Sequence, residues 1–376
     1  MKILILGGTG TMGRYLMEYL SRNSSNDIYI TSRSSHTSTR NNIHFILGNA
    51  HDKSFLTHIL SEQVWDAVVD FMIYSVEEFD DRQEILLSST KQYILLSSAR
   101  VYAESEKPIT EESERLIDVV DDPRFKSSNK YAIAKAKTEN ILTGSGKNNW
   151  TIIRPYITYS NTRFQLGVYE KEDWLYRVLH GRSIVFSRDI SDKLTTITWG
   201  GDVSMGIAAI IGKESALGQI YHITNNNPIK WDDVLNIYIS ILSEFGYNAS
   251  VCYVEKTSDV TNQEEKTKYD RIYNRVFDNS KINGYVNTKM FVDVKIGIQK
   301  CLAEFLSNPS FKTINWVTQA RMDKLSKEKT KLSEITLMKD KIIYIVLRYL
   351  VDYRTLKKIL SWVIKSKKLM STDNNI

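Results

Sequence analysis

Apolar runs of four to seven residues recur along the first 160 positions. Each is followed by a polar or glycine-rich break and then by apolar positions at helical spacing. A run without polar alternation reads as a strand buried on both faces, and a spacing near 3.6 reads as a helix with one face covered. On that basis strands are expected at 3–6, 27–32, 43–47, 65–71, 92–97 and 150–153, with helices near 14–20, 53–62, 76–90 and 131–142. Strand alternating with helix predicts an α/β protein of Rossmann type, a doubly wound parallel sheet with right-handed crossovers. Beyond residue 160 the alternation loosens. A helix at 171–179, a short strand in SIVF, a helix through 202–211, a strand at 220–224 and an amphipathic helix at 231–245 precede a polar, loop-rich stretch at 253–285. The expected organisation is a core at 1–160 to which elements at about 195–225 return, a smaller C-terminal lobe at 161–316, and a basic amphipathic helical extension at 317–376.

Composition changes this picture little. With 376 residues, 42% hydrophobic and 25% charged, the chain is ordinary for a globular protein with a large core. Lys2 leads into a strand and glycines, not into an apolar leader. Cys252 and Cys301 stand in no metal or redox spacing, so a reduced, cytoplasmic setting is expected. The six histidines form no zinc-ligand pair, and no metal site is expected.

Charge is informative through its placement. The net charge is +6, yet residues 321–376 hold 14 Lys+Arg against 6 Asp+Glu, which leaves the rest slightly acidic. That argues against a nucleic-acid partner for the body of the protein. Within the tail, 342–364 is apolar and aromatic but broken by Arg348, Asp352, Arg354, Lys357 and Lys358, which disfavours a membrane span. Two readings stay open there. One is a helix packed on the body or on a second subunit. The other is a basic helix lying on an anionic membrane face, which would place the protein at the inner membrane surface.

The chemistry is concentrated in three places. Residues 1–13, MKILILGGTGTMG, run from strand into a glycine turn and on into a helix. Gly7, Gly10 and Gly13 in that context suit a dinucleotide, because a pyrophosphate reaches a helix N-terminus only where no side chain intervenes. Arg33, flanked by Ser32 and Ser34 after the second strand, leans towards NADP, since an arginine there accommodates a 2′-phosphate. A solvated loop arginine is the plain alternative. The third place is Tyr131 with Lys135, four apart and so on one helical face, preceded by Ser97 and Ser98 at the end of the fifth strand. An ammonium beside a phenol favours the phenolate, and a serine hydroxyl can bond a substrate oxygen. Together they form a proton-transfer set suited to hydride transfer at a carbinol carbon.

These motifs, GGTGTMG, SSARVY and YAIAK, with RPYITY and the looser FDNSK at 277–281, resemble the extended short-chain dehydrogenase/reductases of the NAD-dependent epimerase/dehydratase family. The resemblance covers roughly residues 1–316. It implies that Gly7, Gly10, Thr11, Met12 and Gly13 hold the cofactor pyrophosphate, that Arg33 faces the adenosine ribose or its phosphate, and that Asn49 lies beside the adenine. Phe71 would border the cofactor and Tyr156 the nicotinamide. Tyr131 would be the acid/base, Lys135 would bind the nicotinamide ribose, and Ser98 would polarise the substrate oxygen. The C-terminal lobe would take a nucleotide sugar, with Arg271 or Arg275 available to its diphosphate, and a homodimer is expected.

Departures from the family pattern narrow the reaction. Ala99 and Arg100 occupy the positions where 4,6-dehydratases carry an Asp-Glu pair, so dehydration is disfavoured. Met72, Ile73 and Tyr74 replace the usual small residues after the fourth strand, and the 33 positions from Ser98 to Tyr131 suggest an insertion. The expected activity is NAD(P)-dependent epimerisation or oxidoreduction of a nucleotide-linked sugar in glycan biosynthesis. An NADPH-dependent ketoreductase of a ketosugar, and a non-catalytic RNA- or partner-binding member of the same fold, are the alternatives.

Overall fold

In the computed structural model, which describes residues 1–350, the expected strands pair in one seven-stranded parallel sheet. Its members are β1 (Lys2–Leu6), β2 (Asp27–Ser32), β3 (Ile43–Leu47), β4 (Ala67–Asp70), β5 (Tyr93–Leu96), β6 (Trp150–Pro155) and a last strand, Gln219–Ile223. Their order is Gln219–Ile223, β6, β5, β4, β1, β2, β3. Ile5 stands opposite Ile30 on one side of β1, and Leu6 opposite Asp70 on the other. The order reverses between β1 and β4, which in open α/β sheets marks the ligand crevice at the carboxyl ends of the strands.

Side-chain alternation explains why these runs are apolar throughout. Ile3, Ile5, Ile28, Ile30 and Val69 point to one face, where helix α1 (Thr11–Ser21) and the later helix Gly200–Ile210 cover them with Leu16, Leu20, Val203 and Ile207. Leu4, Leu6, Val68 and Leu95 point to the other, against α2 (Lys53–Ser61), α3 (Val76–Asp80) and α4 (Gln83–Ser88). Each fully buried Leu or Ile contributes about 1.5–3 kcal/mol relative to exposure, so both layers are strongly held. The expected helix at 76–90 is thus two short ones, the first closed by a capping box between Ser75 and Glu78. One polar group interrupts the second layer. Burial pushes the Asp70 carboxyl up to about 6, partly offset by hydrogen bonds from the Met72 N–H at 2.9 Å and the Tyr93 hydroxyl at 2.8 Å.

The stretch after β5 is not the plain loop its composition suggests. It contains α5 (Leu116–Val119) and α6 (Pro123–Ser127), and Leu116, Ile117 and Phe125 pack on Ile133 and Ala136 of α7 (Tyr131–Thr143).

Two compact units divide the described residues: 1–164, 193–237 and 269–308 form one, and 165–192, 238–268 and 309–350 form the other. The stretch drawn from the sequence as a lobe at 161–316 is therefore shared between both, and the extension groups with the second. That second unit pairs Ile184–Ser187 with Val251–Val254 in parallel and buries a polar centre. Arg177 donates to Asp323 at 2.6 Å and to Glu328 at 2.8 Å, and Asp323 also accepts from Tyr344 and Thr330.

This corrects one expectation. The charged stretch 321–331 reads from its composition as an exposed helix or linker, but the helix Trp316–Ser326 buries Asp323, which pairs with Arg177, and Arg321, which donates to the Ser258 and Asp259 carbonyls. A helix Met338–Ile345 follows, burying Tyr344 and leaving Ile342 exposed. Among the described residues no helix is long and apolar enough to cross a membrane. Most of the tail segment 342–364 lies outside the described residues.

Candidate active site

The candidate site lies within the first unit, at the carboxyl ends of its parallel strands. After Leu6 the chain turns at Gly7, whose φ of +68° only glycine adopts without strain. Its N–H donates to Thr31 Oγ1 at 3.0 Å, which ties the turn to β2. Gly13 packs so closely on the Gly8 backbone that a Cβ there would collide with it. Gly10 differs. A Cβ there would meet nothing nearer than the Gly7 carbonyl oxygen at 3.7 Å, so the protein's own packing does not require a glycine. Gly10 is also the N-cap of α1, with no side-chain hydrogen bond capping the helix. Open space over an uncapped helix N-terminus is the environment an anionic pyrophosphate needs, so the residues present fit a dinucleotide.

The remaining cofactor positions surround this turn unequally. Thr11 meets the hydroxyl of Thr162 at 3.0 Å, and the Met12 carbonyl accepts from Ser204 at 2.8 Å. Arg33 follows β2 directly and is exposed, without a partner among the described residues. Asn49 is exposed after β3, its side-chain oxygen accepting from the His51 N–H at 3.2 Å. Phe71 leaves β4 with its N–H on the Leu6 carbonyl at 3.0 Å. Its neighbour Met72 brings Sδ to within 2.9 Å of where a Gly7 Cβ would stand, so the bulky residue fills the space beside that glycine.

The reactive set sits at the end of β5. Lys135 Nζ donates to the Leu96 carbonyl at 2.8 Å, pinning α7 to the strand that leads into Ser97 and Ser98. Glu139, one turn further along α7, accepts from Ser97 Oγ and from Arg154 Nε and Nη2, the last at 2.7 Å. This buried latch joins α7, β5 and β6. Ser98 caps the turn Ala99–Val101 by accepting from the Arg100 N–H at 3.2 Å, which leaves its own proton uncommitted among the described residues. Tyr131 opens α7 and is 43% exposed, so its hydroxyl is reachable by a ligand.

Beside Tyr131 the structure gathers residues that no sequence spacing connects. The Arg100 guanidinium lies 5.0 Å from the centre of the Tyr131 ring, and its Nε is 3.3 Å from the buried carboxylate of Asp270. Asp270 also pairs with Arg271 and with Arg275 at 3.0 Å, and accepts from the Tyr156 hydroxyl at 3.1 Å. Burial alone would raise the Asp270 carboxyl, but Arg271, Arg275 and Arg100 hold it below the usual carboxylate range. Burial, reinforced by Asp270, pushes the Tyr156 phenol up to about 12. Burial lowers the Arg100 guanidinium, with Asp270 opposing.

Tyr156 is therefore buried with its hydroxyl in this cluster. Arg271 and Arg275, expected at a substrate diphosphate, are buried too, and Arg275 binds the carbonyls of Ala103 and Tyr102 as well as Asp270. Sequence reading missed Asp270. It lies in the polar 253–285 stretch, and nothing local distinguishes it from a solvated aspartate.

A parallel sheet with a glycine turn at its switch point, and a Tyr-Lys pair on the helix after β5, define the extended short-chain dehydrogenase/reductase class. The model of the NAD dependent epimerase/dehydratase family matches residues 3–221, more than half of the chain, and the protein belongs to that family. No curated protein matches it in sequence. Among solved structures, it is similar to UDP-glucuronic acid 4-epimerase from Bacillus cereus in complex with UDP-4-deoxy-4-fluoro-glucuronic acid and NAD. That match has 15% identity and a TM-score of 0.64, covering 82% of this chain and 99% of the other. It is also similar to dTDP-glucose 4,6-dehydratase from Bacillus anthracis str. Ames in complex with NAD, at 17% identity and TM-score 0.62, covering 82% and 97%. WbmH from Bordetella bronchiseptica, in complex with NAD+, matches at 13% identity and TM-score 0.62, covering 82% and 99%. At such identities the likeness establishes a shared fold.

Proposed function

We propose that the protein is an NAD(P)-dependent epimerase or reductase of a nucleotide-linked sugar, serving glycan biosynthesis, with Tyr131 as its acid/base. The observation that carries this reading is the anchoring of Lys135 on the Leu96 carbonyl, which ties α7, the helix that Tyr131 opens, to the strand leading into Ser98. The nucleotide sugars named for the B. cereus and B. anthracis structures support the substrate class.

Gly7, Gly10 and Gly13, with the N–H groups of Thr11 and Met12, would hold the dinucleotide pyrophosphate, and Arg33 and Asn49 its adenosine. When bound, the nicotinamide supplies a hydride acceptor or donor at the sugar carbon. Tyr131 takes the hydroxyl proton as that carbon becomes a carbonyl and returns it on reduction. Ser98 donates a hydrogen bond to the same oxygen, and the Lys135 ammonium steadies the phenolate. Elimination of water would need a second acid or base, and Ala99 and Arg100 supply neither.

Exposed Arg33 suits a 2′-phosphate, which favours NADP and, with a released cofactor, the ketoreductase branch. NMR of a nucleotide-sugar panel, with and without each nicotinamide, tests the proposal. Epimerisation predicts interconversion without net cofactor turnover, whereas reduction predicts one NADPH consumed per product. Arg33→Ala should cost NADPH affinity about tenfold and leave NADH unchanged. A wild-type protein that changes no sugar with either nicotinamide defeats the proposal.

A further inference from the structure

Resting on that reading, we infer that the sugar carries a carboxylate next to the reacting carbon and that Arg100 is the residue that selects it. Arg100 stands two positions after Ser98, and its guanidinium lies against the ring of Tyr131. Its Nε lies 3.3 Å from Asp270 without making a hydrogen bond to it, and no hydrogen bond from the guanidinium is found among the described residues. A guanidinium presents a planar fork of donors suited to a carboxylate, and a fork left open beside an acid/base points to a ligand, not to the fold.

The charge balance around it agrees. Asp270 faces Arg100, Arg271 and Arg275 together, and Arg275 already binds the Tyr102 and Ala103 carbonyls. With Asp270 shared among these guanidinium groups, Arg100 has no carboxylate to itself, and an anionic substituent at its fork would find a partner there. A diphosphate also offers oxygens to arginine. It is attached at the anomeric carbon, however, while Arg100 flanks the residue that acts on the reacting carbon. A neutral hydroxymethyl group could not pair with the fork.

Binding of matched pairs tests this. UDP-glucuronate with UDP-glucose, and UDP-galacturonate with UDP-galactose, share the diphosphate and differ only at the carboxylate. The pairs are repeated with dTDP, GDP and CDP, all on cofactor-loaded protein. The acid of the nucleotide that binds should be held about tenfold or more tighter than its neutral partner, as a charge-assisted hydrogen bond implies. Arg100→Ser should bring the two within about twofold of each other, and Arg100→Lys, which keeps the charge without the fork, should restore part of the preference. The thermal midpoint of each variant reports whether it folds, and a wild-type preference for the neutral sugar overturns the inference even where Arg100→Ser fails to fold. Equal binding of acid and neutral sugars by wild type, or an unchanged preference in Arg100→Ser, also overturns it while leaving the nucleotide-sugar reading intact. Failure of every sugar to bind removes both.

Discussion

The glycine turn and the cluster beside Tyr131 are two halves of one candidate site built by opposite means. The turn is made of backbone: an open helix N-terminus, a positive φ at Gly7, and empty space over Gly10. The cluster is made of polar and charged side chains from three parts of the chain, Arg100, Tyr156 and the pair Asp270 and Arg275. A backbone site tolerates many cofactors that share a pyrophosphate. A side-chain site can be retuned by one substitution, which is how a common fold acquires different substrates.

That contrast can be attacked from either side. The largest effect is expected from Tyr131→Phe, which removes the transferable proton and should lower kcat by about 10²- to 10⁴-fold while cofactor affinity, read by calorimetry, stays within twofold. Asp270→Asn comes next, since it removes the buried carboxylate that Arg100, Arg271 and Arg275 share. A loss of about 3–5 kcal/mol in denaturant stability is expected. It should also change the acid limb. The folded Asp270 carboxyl is held below its unfolded value, so its contribution is present above the unfolded pKa and is lost as pH falls through the folded one. The variant should therefore lose less stability than wild type on acidification below about pH 4.

The smallest pair separates packing from ligand binding. Gly13→Ala should cost about 1–3 kcal/mol of stability by forcing a Cβ on the Gly8 backbone. Gly10→Ala should leave the melting midpoint nearly unchanged yet weaken the dinucleotide. Equal stability losses at the two positions would erase the distinction drawn between them.

How much of this was legible in the sequence follows from the same contrast. The strands Asp27–Ser32 and Ile43–Leu47 could be read to the residue, because polar residues or a glycine bound each stretch on both sides. β4 is shorter than the run 65–71 suggests, since Trp65 makes only an isolated bridge to Thr90 before the ladder begins. The glycine turn was equally readable, being contiguous. Asp270 and the buried Arg177–Asp323 pair were not. A charged residue buried by a distant partner has the same local sequence as a solvated one, and only tertiary structure distinguishes them. Arg100 lies between these cases: its oddity was visible against the family pattern, its open fork only in three dimensions.

The bond from Lys135 to the Leu96 carbonyl has a stoichiometric consequence. An ammonium has three protons to offer, and the strand has claimed one, so two remain for other acceptors. Two is the number that a vicinal diol accepts. Arginine at 135 would keep the charge but replace this tripod with a flat fork on a longer stem. A library that varies position 135 while demanding turnover is therefore expected to return lysine alone, whereas one that demands only a folded protein should accept several residues there.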